Sequence, residues 1–451
     1  MPDVTKDQVL AALRGVKDPD LGRDIVTLDF VKEVKICDGL VSVTIELTTP
    51  ACPVKEELRG QAETLVRALP GVKQVEIQMT AQTVGRRQEQ QDILKGVKNV
   101  VAIGSGKGGV GKSTATVNLA LALAGFGAKV GILDADIYGP SIPGMLGITD
   151  RPFADEQGKA IPPVAFGIKA MSVGMLVGED TPTIWRGPIA SKILQQFLGA
   201  VNWGELDYLL LDLPPGTGDV QLTLTQSAPL NGAVIVTTPQ DVALRIAKKG
   251  LKMFQQVNVP VLGVIENMSG FVCSQCGTVH QIFRKGGGER VARETGVPFL
   301  GAVPLDARMV EAGDLGTPLV ALDKSSPGAI AFVVIAKNLA AQLSITNLNE
   351  KNVKNRPKEV HLVDQTPPKI AWDDGTASVY DHKNLRLGCP CAACVNEMTG
   401  EKMVREQDLP KEIRVTEARP VGRYGLNLLF SDGHGSGIYT FDRLRAMGTK
   451  V

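Results

Sequence analysis

Residues Gly104-Ser105-Gly106-Lys107-Gly108-Gly109-Val110-Gly111-Lys112-Ser113-Thr114 leave this chain few folds to choose from. They follow an apolar run, Val100 to Ile103, that reads as a buried strand. They precede a segment with Val117, Leu119, Ala120, Leu121 and Leu123 at helical spacing. A strand, a glycine-rich turn and a helix in that order form the phosphate cradle of a P-loop. Glycine lets backbone N–H groups converge on phosphate oxygens where side chains would block the approach. The helix N-terminus adds its positive end. Lys112 reaches the outer phosphates, and Ser113 or Thr114 can hold Mg2+. The motif predicts a nucleoside triphosphate site built from Gly106, Lys107, Gly108, Gly109, Val110, Gly111, Lys112, Ser113 and Thr114.

Carboxylates at the right places extend that site. Leu133-Asp134-Ala135-Asp136 ends a second apolar strand, and Tyr208-Leu209-Leu210-Leu211-Asp212 has the Walker B form. Acidic residues at the carboxyl ends of parallel strands lie in the ligand crevice of an open α/β sheet. Asp212 is expected to hold Mg2+ through water, and Pro214 to Asp219 to form a turn beside the γ-phosphate. A plain turn-capping role is the alternative for Asp134 or Asp136.

A length of 451 residues allows about three domains. Residues 1–85 read as a small α/β unit, with Asp38-Gly39 as a hairpin turn. Residues 96–345 alternate helices with candidate strands at 100–104, 129–134, 207–212, 233–238, 260–266 and 298–303. Residues 360–451 are β-rich, and polar stretches near 86–91 and 347–358 read as linkers. The expected fold class is α/β: a doubly wound, mostly parallel P-loop NTPase sheet flanked by two small α+β domains. With 49 Lys and Arg against 48 Asp and Glu, the chain lacks the charge footprint of a nucleic-acid binder. No apolar run in it approaches a membrane span, so neither nucleic acid nor membrane is an expected partner. The N-terminus has neither a basic nor an apolar leader segment, which points to the cytoplasm.

The seven cysteines are an odd number and mostly clustered, which reads as metal ligation before disulfides. Cys273-Ser274-Gln275-Cys276-Gly277 stands beyond an ATPase-core strand. By itself the pair could be half a zinc site, with His280, a redox pair, or two ligands of an iron–sulfur cluster. Cys52, in Thr48-Thr49-Pro50-Ala51-Cys52-Pro53, reads equally as a reactive thiol at a helix start or as a small residue in a tight turn. Cys37 has no partner in sequence and reads as structural. Cys389-Pro390-Cys391-Ala392-Ala393-Cys394 packs three thiols into six positions and needs a fourth ligand to close a Zn2+ site. Of His361, His382 and His434, the last is preferred, because its glycine-flanked turn exposes an imidazole to a nearby loop. A second iron–sulfur site is the rival reading.

The second loop lysine, Lys107, makes the P-loop resemble the deviant form of the MinD/ParA/nitrogenase-iron-protein class of ATPases. The resemblance implies ATP as nucleotide and a homodimer in which Lys107 reaches the partner's phosphates. It implies that Asp136 orients or activates the attacking water, that Asp134 sits near Mg2+, and that Asn267 holds the adenine. In such a dimer two copies of Cys273 and Cys276 give four thiolates, which suits a bridging [4Fe–4S] cluster. GSGKGGVGKST, DADIYGPS, IWRGP, LLLDLPPGTGD, VTTPQ and ENMSGFVCSQCG together resemble the Mrp/ApbC family of iron–sulfur cluster carrier ATPases. That family implies a labile cluster on Cys273 and Cys276, delivered to apo iron–sulfur proteins, with cluster-assembly factors as further partners. The N-terminal unit is similar to the small domain of stand-alone cluster-assembly factors. The tail resembles the N-terminal domain of gamma-butyrobetaine and trimethyllysine hydroxylases, where three cysteines and a distant Asp-Gly-His bind structural zinc. The oxygenase domain is absent, so hydroxylation is not carried over. The three-part order is also similar to plant plastid high-chlorophyll-fluorescence cluster carriers, which makes the plastid stroma the alternative location. Two other functions share the core: a MinD/ParA-type positioning ATPase, and an electron-transfer ATPase with a permanent cluster.

Overall fold

The computed structural model describes residues 4–19, 22–37, 39–83, 94–137, 139–175, 197–216, 221–222, 224–225, 228–273, 275–282, 285–351, 357–362, 366–391, 394–395, 401–410, 412–421 and 425–451. The IWRGP segment, Asp38 and residues 217–219 of the turn after Asp212 lie outside them, as do the linker at 86–91 and part of the one at 347–358. The chain divides into two compact units, one of residues 1–224 and 230–348 and one of residues 225–229 and 349–451.

The first unit begins with helix α1 (Lys6–Leu13), strands β1 (Val31–Cys37) and β2 (Leu40–Leu47), helix α2 (Lys55–Arg67) and strand β3 (Gln74–Ala81). β1 and β2 pair antiparallel and β2 and β3 parallel. Alternate residues of β2, Val41, Val43, Ile45 and Leu47, are fully buried against Leu58, Ala62 and Val66 of α2. That alternation is the mark of a sheet covered on one face.

The larger part of this unit is a nine-stranded sheet. Its parallel strands are β4 (Val97–Ser105), β5 (Val130–Asp134), β6 (Ile168–Ser172), β7 (Leu206–Asp212), β8 (Gly232–Thr237), β9 (Val261–Val272) and β10 (Phe299–Leu305). They stand in the order β6-β5-β7-β4-β8-β9-β10, with short antiparallel strands at 164–165 and 279–280 on the edges. On one face Val101, Ile103, Val130, Ile132, Leu210 and Val234 join helices α3 (Lys112–Gly125) and α4 (Pro327–Lys351) in one core. The alternate residues Val100, Ala102, Leu209, Leu211, Ala233 and Ile235 are buried too. Both faces are therefore covered, as in doubly wound α/β proteins. The expected alternating sheet is present. β6 went unread because Ile168-Lys169-Ala170-Met171-Ser172 is short and carries a lysine, so it shows no strand period.

α4 corrects one expectation. Its 21-residue stretch Pro327–Asn347 is long and apolar enough to cross a membrane by length and composition. Ala329, Phe332, Ile335, Ala336, Leu339 and Ala340 are instead each at most 1% exposed within the sheet's core. The apolar run serves as a core helix, covering the sheet on the same side as α3.

The second unit holds two small antiparallel sheets. One includes β11 (Pro357–His361), β12 (Lys369–Trp372) and β13 (Ala377–Val379), the other β14 (Val415–Val421), β15 (Gly425–Phe430) and β16 (Ile438–Thr440). Helix α5 (His382–Leu387) leads directly into the three cysteines. Trp372, Leu428, Phe430 and Tyr439 form its core, together with the sulfurs of Cys389 and Cys394.

Candidate functional site: a P-loop crevice and two cysteine sites

β4 runs into the P-loop at the centre of the sheet, between β7 and β8. The chain order reverses there, which opens the crevice in which such sheets bind ligands. Gly109 and Gly111 take φ of 77° and 79°, conformations that side chains disfavour. A Cβ on Gly111 would lie against Asn267 Nδ2, whereas one on Gly108 or Gly109 would meet no atom of the described residues within 4 Å. The loop is thus packed tightly on one side and open on the other, which fits a phosphate group on the open side.

Behind the loop, Lys112, Ser113 and Thr116 converge on Asp212. Lys112 Nζ donates to Asp212 Oδ2 at 2.5 Å, Ser113 Oγ to the same oxygen at 2.6 Å, and Thr116 Oγ1 to Oδ1 at 2.6 Å. The Lys112 and Asp212 side chains are 6% and 0% exposed, so this is a buried ion pair with every carboxylate oxygen hydrogen-bonded. A hydroxyl and a carboxylate side by side are the oxygen donors that Mg2+ prefers. Asp136 Oδ2 stands 4.0 Å from Lys112 Nζ.

Asp134 behaves differently from its neighbour. Its carboxylate accepts from the backbone N–H of Asp136 and Ser141 at 3.1 Å each and of Ile142 at 3.2 Å, and from Ser172 Oγ at 3.1 Å. Burial, then the Asp212 carboxylate, push Asp134 up to about 7. It ties the backbone of Asp136, Ser141 and Ile142 to Ser172 of β6. Asn267, only 5% exposed, donates from Nδ2 to the Val110 carbonyl at 2.9 Å and so clasps the P-loop. Lys107 is half-exposed at the loop's start, and its carbonyl accepts from Ser105 Oγ at 3.1 Å.

β9 carries the first cysteine pair out of the same sheet. Positive φ at Met268 (57°) and Gly270 (123°) breaks its register with β10 after Asn267. The strand then turns back at Cys273: Cys273 N–H donates to Thr278 O at 2.9 Å, and Gly277 N–H to Cys273 O at 2.8 Å. Cys276 is exposed, Cys273 half-buried, and both are free thiols. Hydrogen bonds from Thr278, through its hydroxyl and then its backbone, with Cys273 contributing, hold the Cys276 thiol down to about 7. The ring nitrogen of His280 and both sulfurs lie within 4.8 Å of one another. Glu266, fully buried, anchors the base of this excursion. It accepts from Ser269 Oγ and the Gly288 N–H at 2.5 Å each and from the Gly286 N–H at 3.2 Å.

In the second unit His434 Nε2 lies 3.2, 3.5 and 3.6 Å from the sulfurs of Cys389, Cys391 and Cys394. Three thiols and an imidazole converging on one point fit a closed tetrahedral metal site. Burial, and then Arg386, hold His434 below its ordinary value, which favours the neutral ring a metal needs. Burial pushes the Cys389 thiol up to about 12. Arg386 donates to Cys394 Sγ at 3.4 Å and to Asp432 Oδ2 at 2.8 Å, while Asp432 Oδ1 accepts the His434 N–H at 3.0 Å. A cation thus stands where the site would carry negative charge. Asn427 Nδ2 holds the His434 loop through the carbonyls of Gly435 and Gly437, at 2.6 and 3.1 Å. His382 is turned away, its Nδ1 accepting the Val415 N–H at 3.1 Å. His361 pairs with Glu359 at 2.9 Å.

Cys52 is half-buried against the N-terminal core. The loop before it is fastened to the sheet: Thr49 Oγ1 and Tyr208 Oη share a hydrogen bond of 2.9 Å, and Ala51 packs in the β4–α3 core. Tyr208 lies near the amino end of β7, opposite the P-loop end. The roles of Glu266, Arg386 and Tyr208 had no signal in the sequence, since each also bonds a residue 22 or more positions away.

The chain matches three family models. The first, described as the NUBPL iron-transfer P-loop NTPase, covers residues 96–340. An iron–sulfur cluster assembly protein model covers residues 6–79, and a gamma-butyrobetaine hydroxylase-like N-terminal model covers residues 363–445. An iron–sulfur cluster carrier protein of Synechocystis is 50% identical over 352 residues, covering 76% of this chain and 99% of the relative. The carrier of Escherichia coli K12 is 44% identical over 344 residues, covering 76% and 93%. The chloroplastic Fe–S cluster assembly factor HCF101 of Arabidopsis thaliana is 39% identical over 452 residues, covering 98% of this chain and 82% of the relative. With this length of match and the P-loop geometry in place, the chain belongs to the NUBPL iron-transfer P-loop NTPase family.

Proposed function

We propose that the chain is an ATP-hydrolysing carrier that holds a [4Fe–4S] cluster on Cys273 and Cys276, shared between two copies, and hands it to apo iron–sulfur proteins. The observation that carries this reading is the exposed Cys273–Cys276 hairpin on β9, whose inner end, through Asn267, clasps the P-loop. That bond gives the loop a direct contact with the strand that bears the thiols. The cluster is cargo, and the hairpin's exposure suits cargo that must leave.

On this reading Lys112 exchanges Asp212 for phosphate oxygens, and the glycine-lined face supplies backbone N–H groups to them. Ser113 and Asp212 would hold Mg2+, which would neutralise phosphate charge, with Asp134 ordering the adjoining segment. Asp136 is placed to orient the attacking water, and Lys107 to act on the partner copy's nucleotide. Asn267, where the adenine is expected, stands at the break of β9 from β10 and fastens the loop from there. Cys389, Cys391, Cys394 and His434 are proposed to hold Zn2+ as a closed structural site. Cys52, packed on its own core, is proposed as a structural thiol. A reducing compartment, the bacterial cytoplasm or the plastid stroma, suits a chain in which no disulfide joins the described cysteines.

Anaerobic reconstitution tests the cargo. The full chain should take up about two iron and two sulfide per chain, as one cluster per dimer requires. Cys273→Ser and Cys276→Ser should take up neither and stay monomeric. Zinc without sulfide at this pair would refute the carrier reading.

A further inference from the structure

The turn at Cys273 and Cys276 brings up a third donor. Phe271 pairs with His280 and Val272 with Val279, so the returning strand sets His280 beside the two thiols. Gly270 is required for that return, because a Cβ there would lie 2.9 Å from Val279 Cγ1. The two sulfurs and the ring nitrogen fall within 4.8 Å of one another.

Two thiolates and an imidazole suit divalent ions of the borderline-soft class. Three protein donors leave the fourth tetrahedral position open, the arrangement of exchangeable sites. The same chain supplies the contrast. In the second unit four donors converge, and Cys389 and Cys394 are 1% and 3% exposed. At the hairpin Cys276 and His280 are exposed. A cluster shared by two copies uses four thiols and leaves both imidazoles over. His280 is therefore a donor for a state in which one chain acts by itself.

We propose that the single, nucleotide-free chain binds one divalent borderline-soft metal ion through Cys273, Cys276 and His280, with the fourth position open to an incoming ligand. Two thiol protons leave to solvent as the ion enters. For a cluster carrier the ion is Fe2+, and the site is where iron arrives before a partner copy completes the thiol set. The purpose of the site rests on the carrier reading; its ligand set does not.

Co2+ alone is the probe, added anaerobically to the full-length, nucleotide-free protein and followed by its thiolate charge-transfer absorption. The hairpin's share is the difference between wild type and Cys276→Ser, which leaves the C-terminal thiols intact. That difference should saturate at one Co2+ per chain in a monomer. His280→Ala should weaken it by more than the roughly tenfold that losing an outer-shell partner costs, and His280→Cys should restore it. No difference between wild type and Cys276→Ser, unchanged affinity in His280→Ala, or one Co2+ per two chains in a dimer overturns the proposal. His280→Ala should still reconstitute the [4Fe–4S] cluster, since all four thiols remain, and its failure to do so would make His280 a cluster ligand instead. A wild-type chain that binds Co2+ as expected but takes up no cluster refutes the carrier reading and leaves the metal site standing.

Discussion

Lys112 and Asp212 neutralise each other behind the P-loop, so removing the lysine has two consequences that must be read apart. Lys112→Ala takes away the phosphate contact and also leaves Asp212 buried without its cation, a loss of the order of 3–5 kcal/mol. Nucleotide binding should vanish while the apo protein also melts earlier. Lys107→Ala, at a half-exposed position, should spare both and slow hydrolysis; equal loss of nucleotide binding in the two variants would contradict the role in trans. The second unit makes a pH-dependent case. Burial raises Cys389 from 9.0 to about 12, so the folded, metal-free tail prefers the proton more than the unfolded chain does. Its stability should fall as pH rises between those values. Bound metal reverses the sign, because it requires thiolates, and the stability it adds should be lost on acidification. Melting curves of the full chain against pH, with and without chelator, check this; identical profiles would remove the metal from the site. At this scale Lys112, Ser113 and Asp212 were legible because phosphate chemistry fixes their spacing. The pairing of Arg386 with Asp432 was not, since a charge 46 positions from its partner carries no local pattern.

Most functional side chains owe their place to a strand end, a turn or the first turns of α3. β4, β5 and β7 all end at the crevice, which puts Gly106, Asp134 and Asp212 within one site. Those strands were readable because a doubly covered sheet demands continuous apolar runs. β6 was not, although its Ser172 hydroxyl helps to hold Asp134. The break in β9 after Asn267 was hidden as well, because it depends on a positive φ at Met268, a residue type that gives no warning of one. The β15–β16 connection shows how tightly a turn can be tuned to a ligand. A Cβ on Gly437 would lie 2.4 Å from Cys389 Sγ, so Gly437→Ala must displace either the sulfur or the loop bearing His434. Metal content per chain should drop and ATP hydrolysis should stay close to wild type. Full metal retention would show that Cys389 is not held where the turn places it.

Across the molecule, the N-terminal α/β segment and the P-loop sheet form one unit, and their junction is specific. Thr49 Oγ1 and Tyr208 Oη meet at 2.9 Å in a buried setting. Tyr208→Phe should remove that bond, leaving Thr49 Oγ1 with the Ala51 N–H at 3.2 Å, and cost about 0.5–1.5 kcal/mol. The expected readout is easier proteolysis between the N-terminal segment and the sheet, with ATP binding retained; an unchanged digestion pattern would count against this junction. The junction lies at the amino end of β7 and the nucleotide crevice at its carboxyl end, so docking and hydrolysis are separable. Both the P-loop and the cysteine hairpin belong to this unit, and Asn267 links them. On the carrier reading, nucleotide state governs release of the cluster. The most direct measurement is the rate at which reconstituted protein activates an apo [4Fe–4S] acceptor, with and without Mg2+-ATP, for wild type and Asp136→Ala. Transfer should change with ATP in the wild type and lose that dependence in Asp136→Ala, with the cluster bound equally in both. Transfer indifferent to ATP in the wild type, or a cluster that never leaves, would contradict it.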